Sequence, residues 1–172
     1  NIADYKKIMI VGNAGSGKTT LALKLAKIVD LPVYHLDQYY WKPGWERTDR
    51  VEFTHIHAEL CEKDRWIIEG CNLSWLSDRV AGAELLIFLD MPRYQCLWRV
   101  LKRCVLYYDK VIPGMAIECK QRITGFKFLE FLRWVWHFKN RSRVKIVDHI
   151  ERAAQVGKRV VVLKSRQEVS EF

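Results

Sequence analysis

Residues 12 to 19 read GNAGSGKT, which fits the spacing G-x-x-x-x-G-K-[ST]. Glycines in such a run let backbone N–H groups turn inward around phosphate oxygens, and the start of the following helix adds its dipole. Lys18 is placed to reach terminal phosphates and Thr19 to offer a hydroxyl to Mg²⁺. Gly12, Asn13, Ala14, Gly15, Ser16, Gly17, Lys18, Thr19 and Thr20 are therefore the candidate triphosphate-binding set, with ATP and Mg²⁺ the expected ligands.

Three carboxylates each close a short apolar run: Asp37 after LPVYHL (31–36), Glu69 in RWIIEG (65–70) and Asp90 in ELLIFLD (84–90). Asp37, read as ending the second strand, can take the proton of an attacking hydroxyl or hold an Mg²⁺-bound water. Glu69 and Asp90 compete for the acidic position that orients Mg²⁺ through water. Asp90 has another use, because D-M-P starts a helix and an aspartate there caps free N–H groups. Glu69, followed by Gly70 and an irregular CNLSW, has none and is preferred. Tyr39, Tyr40, Trp41 and Trp45 follow Asp37 and either stack on a planar acceptor or pack beneath a loop.

Phosphoryl transfer mainly asks a protein for charge neutralisation, since the transferred oxygens carry the charge in the transition state. Arg99 and Arg103 stand four apart and share a helix face. Arg133, Lys139, Arg141 and Arg143 gather near one helix junction, where cations on a mobile helical pair can close over the nucleotide. Trp134 and Trp136 are expected to anchor that segment to the core.

These groups need a scaffold that brings strand ends together. KIMIV (7–11) precedes the glycine-rich turn, and TTLALKLAKIV carries apolar residues at helical spacing. Asp49 with Glu52 predicts a capped helix to about Leu60, and RVVVL (159–163) is the last strand. Helices are predicted over residues 92 to 107, 118 to 137 and 142 to 156. Five short apolar strands alternating with helices imply an α/β fold, a parallel sheet covered on both faces, with ligands at the carboxyl ends of the strands.

The chain's 172 residues, 49% of them apolar, suit a single domain spanning the whole sequence. No apolar run is long enough for a membrane span, and the start lacks the pattern of a signal peptide, so a cytoplasmic protein without membrane contact is expected. Five widely spaced cysteines form no C-x-x-C and read as reduced thiols, and His55 with His57 lies on a helical pattern, where residues two apart point in different directions. Residues 1–90 carry a net charge of −2 and residues 91–172 one of +11. The basic half can bind the phosphates of a nucleotide, of nucleic acid or of an anionic membrane surface, and charge alone does not choose among them.

GNAGSGKTTLALKLA, VYHLDQYYWKPGW, DRWIIEGCN, LLIFLDMPRYQCLWRVLKR, FLRWVWHFKNRSR and KRVVVLKSRQEV, in that order, resemble the FlaR-like DNA topology modulation proteins, which in turn resemble adenylate kinase and other nucleoside and nucleotide kinases. The resemblance implies a P-loop NTPase fold with sheet order 2-3-1-4-5, an acceptor-binding region at about 35–65 and a helical lid at about 104–143. It also implies that RVLKR holds lid-flanking arginines and that the KSR turn ending in Arg166 lies by the adenine. Where adenylate kinases carry Asp-Gly-Phe-Pro-Arg this chain has Glu69-Gly70-Cys71-Asn72, so their acceptor contacts do not transfer. The expectation is a kinase using Mg²⁺ and ATP on a nucleoside-like, nucleotide or other hydroxyl acceptor, with Lys18, Asp37, Arg99 and Arg103 catalytic, Thr19 and Glu69 serving the metal, and Arg141 and Arg166 on the nucleotide. The alternative is an ATP-binding protein associated with nucleic acid through residues 91–172.

Overall fold

A computed structural model of the chain describes residues 2–116, 118–120 and 126–172. Its frame is a sheet of five parallel strands: β1 (Lys7–Gly12), β2 (Val33–His35), β3 (Trp66–Glu69), β4 (Leu85–Leu89) and β5 (Arg159–Leu163). Their spatial order is 2-3-1-4-5, as expected. The register sets Ile10 beside Glu69 and Gly12 beside Leu89, so the glycine-rich turn leaves the sheet at the edge where β3 and β4 end.

Apolar residues on successive positions of β1 serve opposite layers, because side chains alternate across a strand. Ile8 and Ile10 meet helix α1 (Lys18–Val29) through Leu21, Ala22 and Leu25, and Cys96 and Val100 of helix α5 (Arg93–Leu106) join the same layer. Met9 and Val11 face the other layer, built from α3 (Arg50–Glu62), α4 (Leu76–Gly82) and α7 (Ser142–Gln155) through Phe53, Leu76 and Ile146. A short helix α2 (Leu36–Tyr40) and a small antiparallel hairpin, Trp41–Lys42 against Glu46–Arg47, connect β2 to α3. Helices α6 (Phe126–His137) and α8 (Arg166–Glu171) complete the chain. Among the described residues no helix is long and apolar enough to cross a membrane.

Several expectations are corrected. The second strand stops at His35, because fully buried Leu36 turns into the core beneath Gly70, and Asp37 sits in the first turn of α2 rather than on the strand. The helix predicted from residue 118 is absent at its start: Glu118 has φ 68°, Val111 bridges Lys120, and α6 begins at Phe126, with the intervening residues 121–125 outside the described set. Trp134 and Trp136 are partly exposed, and fully buried Val135 with buried Phe138 anchors α6 instead.

Candidate active site

Gly15 has φ 75°, and a Cβ there would run into the carbonyl of Cys96 on α5, so the loop lies flat against that helix. Arg99 of α5 reinforces the contact, its Nη1 donating to the carbonyls of Gly15 (3.3 Å) and Ser16 (3.2 Å). From the other side Asn13, buried, donates through Nδ2 to the carbonyl of Val135 on α6 at 2.9 Å. Lys18 opens α1, and its ammonium donates to the carbonyl of Asn13 at 2.9 Å. The glycine-rich loop is thus held by β1, α1, α5 and α6 together. Ala14 packs on the core and Thr20 is exposed.

The acids converge on that loop to different degrees. One oxygen of buried Glu69 accepts from Thr19 Oγ1 and from His35 Nδ1, each at 2.8 Å. Burial alone would raise the Glu69 carboxyl, but the hydrogen bonds from His35 and Thr19 and the charge of Lys18 outweigh it and hold the pKa below the usual carboxylate value. Asp37 shows the opposite balance. Its pKa is raised, first by burial and then by Glu69, against the lowering influence of Lys18, Arg103 and His35. The environments of these two carboxylates push their pKa values in opposite directions, the condition under which paired acids can serve different roles.

Asp90 has a different fate from the helix cap expected of it. It lies between β4 and α5 and binds Arg143 of α7 through both carboxylate oxygens at 2.8–3.0 Å, while α5 has no side-chain cap at all. Among the described residues neither makes a hydrogen bond or ion pair with the glycine-rich loop. Arg103 faces the site: burial lowers its pKa, Cys104, Asp37 and Glu69 work against that, and its buried Nε has no hydrogen-bond partner among the described residues. Arg141, on the turn between α6 and α7, and Arg166, at the start of α8, are exposed and make no hydrogen bond or ion pair with the loop among the described residues. The KSR turn is a helix start in which Ser165 Oγ accepts from the Glu168 N–H at 3.1 Å.

Sequence reasoning alone passes over three residues here. His35 lies inside the apolar run LPVYHL, where nothing singles it out, although its position two before Asp37 places it at the same sheet edge. Arg79 is fully buried and donates to the carbonyls of Gly70 and Asn72 at 2.9 Å, holding the turn that follows Glu69, and burial lowers its pKa to about 10. Its signal was helical phase, since it shares a face with Leu76 and Ala83. Gly114, φ 84°, belongs to the segment between α5 and α6, and a Cβ there would lie 3.1 Å from Thr19 Cγ2 and 3.3 Å from His35 Nδ1. That segment therefore covers the Thr19–Glu69–His35 cluster. It also touches the hairpin: Trp45 Nε1 donates to the carbonyl of Lys120 at 2.9 Å and Cys119 Sγ to that of Lys42 at 3.2 Å.

The aromatic residues after Asp37 divide their work. Tyr40 packs edge-on against Trp41, Phe53 and Trp75, and Trp41 against Trp45. Tyr40 and Trp75 also wall a cleft of about 270 Å³ completed by Arg47, Thr48, Arg50 and Ser74. Its two sides are the segments that follow Asp37 and Glu69. Neither arginine has an acidic partner within ion-pair reach among the described residues, and Arg47 lies 6.0 Å over the Trp41 ring.

No protein-family model matches the chain, and no curated protein matches it in sequence. Solved structures do match its shape. Shikimate kinase from Bacteroides thetaiotaomicron superposes with a TM-score of 0.53 at 15% identity, over 97% of this chain and 93% of that one. For a gluconokinase from Sinorhizobium meliloti 1021 the TM-score is 0.52 at 16% identity, covering 96% and 86%. Shikimate kinase from Acinetobacter baumannii in complex with shikimate gives 0.54 at 15% identity, covering 96% and 88%. The chain shares the fold of these kinases. At these identities the likeness is one of fold, and the chemistry must be argued from this chain's own residues.

Proposed function

We propose that this protein is a phosphotransferase that uses Mg²⁺ and ATP to phosphorylate a hydroxyl of a small acceptor carrying an acidic group. The observation that carries the reading is the pairing of two unlike carboxylates on one phosphate loop: Glu69, held ionised against Thr19, and Asp37, its pKa raised beside Lys18 and Arg103. The loop amides and Lys18 bind the ATP phosphates. A hydroxyl and a carboxylate are hard oxygen donors, few enough to leave positions for water and phosphate, and this donor set fits Mg²⁺. Thr19 and Glu69 would hold the ion, which when bound neutralises phosphate charge. Asp37 accepts the proton of the acceptor hydroxyl; a carboxylate whose pKa is raised is a stronger base than an ordinary one. Arg99 and Arg103 offset the negative charge of the transferred group, and the segment around Gly114 excludes water over it.

The acceptor would enter the cleft walled by Tyr40 and Trp75, on the segment that follows Asp37 in the chain, where Arg47 and Arg50 supply two unneutralised guanidiniums suited to a carboxylate or phosphate. A panel of hydroxy acids, nucleosides, nucleoside monophosphates and neutral polyols, assayed for acceptor-dependent ADP release, tests this. The expected result is turnover with an anionic acceptor whose KM rises at least tenfold in Arg50→Gln, with kcat little changed. Turnover with neutral polyols alone would rule out the acidic class.

A further inference from the structure

Helix α5 carries a wider apolar face than the fold buries. Cys96, Val100 and Cys104 enter the core, whereas Tyr94, Trp98, Leu101 and Val105 are 63%, 65%, 37% and 69% exposed. These four are spaced four, three and four residues apart, the alternation of a seam by which one helix pairs with another. Tyr108, just past the helix end, is 56% exposed. Trp136 of α6 borders the stripe through Arg93, whose guanidinium lies 4.3 Å over its ring.

The patch has the size of an interface. Taking roughly 150–250 Å² for a whole aromatic side chain, the exposed parts of its rings and aliphatic groups sum to about 600 Å². A monomer's largest apolar patch is about 300–600 Å², so this one stands at the upper limit. A homodimer interface of about 800 Å² per partner, about 65% apolar, needs roughly 520 Å² of apolar surface from each side. Charge favours a protein partner over an anionic lipid surface, which is read by clusters of about four to eight outward cations. On α5, Arg99 is bound to the glycine-rich loop, Arg103 lies towards the acids and Arg93 lies on Trp136, leaving Lys102 beside the stripe; with exposed Arg133 and Lys139, one turn either side of Trp136, the cations at the patch number three, below that range. The narrow seam likewise matches a facing helix better than a flat surface.

We infer that α5 is a self-association surface on which a second copy of this chain packs its own α5 antiparallel, about a two-fold axis between Trp98 and Leu101. Reversal of the seam is self-complementary: Tyr94 meets the partner's Val105 and Trp98 meets the partner's Leu101, a large side chain against a smaller one at each position. The interface is isologous and closes at two copies. Because α5 also carries Arg99 against Gly15 and Ser16, pairing stiffens the helix on which the phosphate loop rests.

Sedimentation velocity across a micromolar concentration series reads the association directly. The expected species has twice the 20.4 kDa of one chain. Trp98→Glu and, separately, Val105→Glu should each leave only the 20.4 kDa species, with the circular dichroism spectrum unchanged because neither side chain is buried. Val156→Glu, at an exposed position after α7, should leave the dimer intact. A wild-type chain that stays monomeric throughout overturns the inference, as does a dimer that survives both α5 substitutions. A monomer that instead pellets with anionic phospholipid vesicles also overturns it, assigning the stripe to lipid.

Discussion

Replacing Gly15 by alanine tests whether the phosphate loop rests on α5 as described. Gly15 and Gly44 share φ 75°, but their surroundings differ: a Cβ at Gly44 meets nothing within 4 Å, whereas one at Gly15 collides with the Cys96 carbonyl and comes 3.1 Å from Val100 Cγ2. The left-handed backbone costs alanine roughly 1–2 kcal/mol, partly offset by about 0.4–1 kcal/mol from a less flexible unfolded chain. Gly44→Ala should therefore lose about 1 kcal/mol. Gly15→Ala adds the collision of a methyl with backbone, for which overpacking costs about 1–3 kcal/mol, giving a total of about 3 kcal/mol. In a domain of this size each kcal/mol moves Tm by about 2–4 °C, so the expected losses are about 2–4 °C for Gly44→Ala and about 6–12 °C for Gly15→Ala. Thermal unfolding followed by circular dichroism distinguishes them. Equal losses in the two variants would refute the packing of loop on helix.

Three further outcomes are expected. Asp37→Asn should be more stable than wild type near neutral pH, by about 1 kcal/mol, because the native state strains against ionising a buried carboxylate beside Glu69. The sign follows from a folded pKa above the unfolded value: wild type has its full stability below the ordinary carboxylate pKa of about 3.9 and loses it as pH rises through the Asp37 pKa, so the advantage of Asn should vanish in acid. Melting curves at several pH values would expose an opposite trend. Arg79→Lys should cost about 1.5–3 kcal/mol in urea unfolding, since one ammonium cannot serve the Gly70 and Asn72 carbonyls in the guanidinium's fork; an unchanged midpoint would contradict the role given to it. Arg143→Ala leaves Asp90 without its bidentate partner and should cost about 1–2 kcal/mol, below the 3–5 kcal/mol of a fully buried pair because Arg143 keeps a third of its side-chain surface in water; no loss would show the pair to be ornamental.

What was legible in the chain beforehand was what local chemistry dictates. The glycine-rich turn and the helix after it could be read because a turn and a helix start depend on immediate neighbours, and the five strands because buried parallel strands are continuous apolar runs. Contacts between distant segments could not be read this way. His35 meets Glu69 only through the parallel register of β2 on β3, and Asp90 finds Arg143 across 53 positions, so the helix-cap reading of Asp90 was the locally sensible one. Gly114 reaches Thr19 by a return of the chain that no periodicity encodes. For Trp134 and Trp136 helical phase was the missing step, since it is Val135 between them that points inward.

The central claim is that Asp37 and the phosphate loop move a phosphoryl group onto an acceptor rather than onto water. Its most direct test follows the label of γ-labelled ATP, with Mg²⁺ and an acidic hydroxyl acceptor, in wild type and Asp37→Asn. The account predicts labelled acceptor in wild type and a rate lower by about 10²–10⁴-fold in the variant, the contribution of a general base, with ATP affinity preserved. Label appearing only as inorganic phosphate across the acceptor panel, at the same slow rate in both proteins, would contradict it and return attention to the basic half of the chain and nucleic acid.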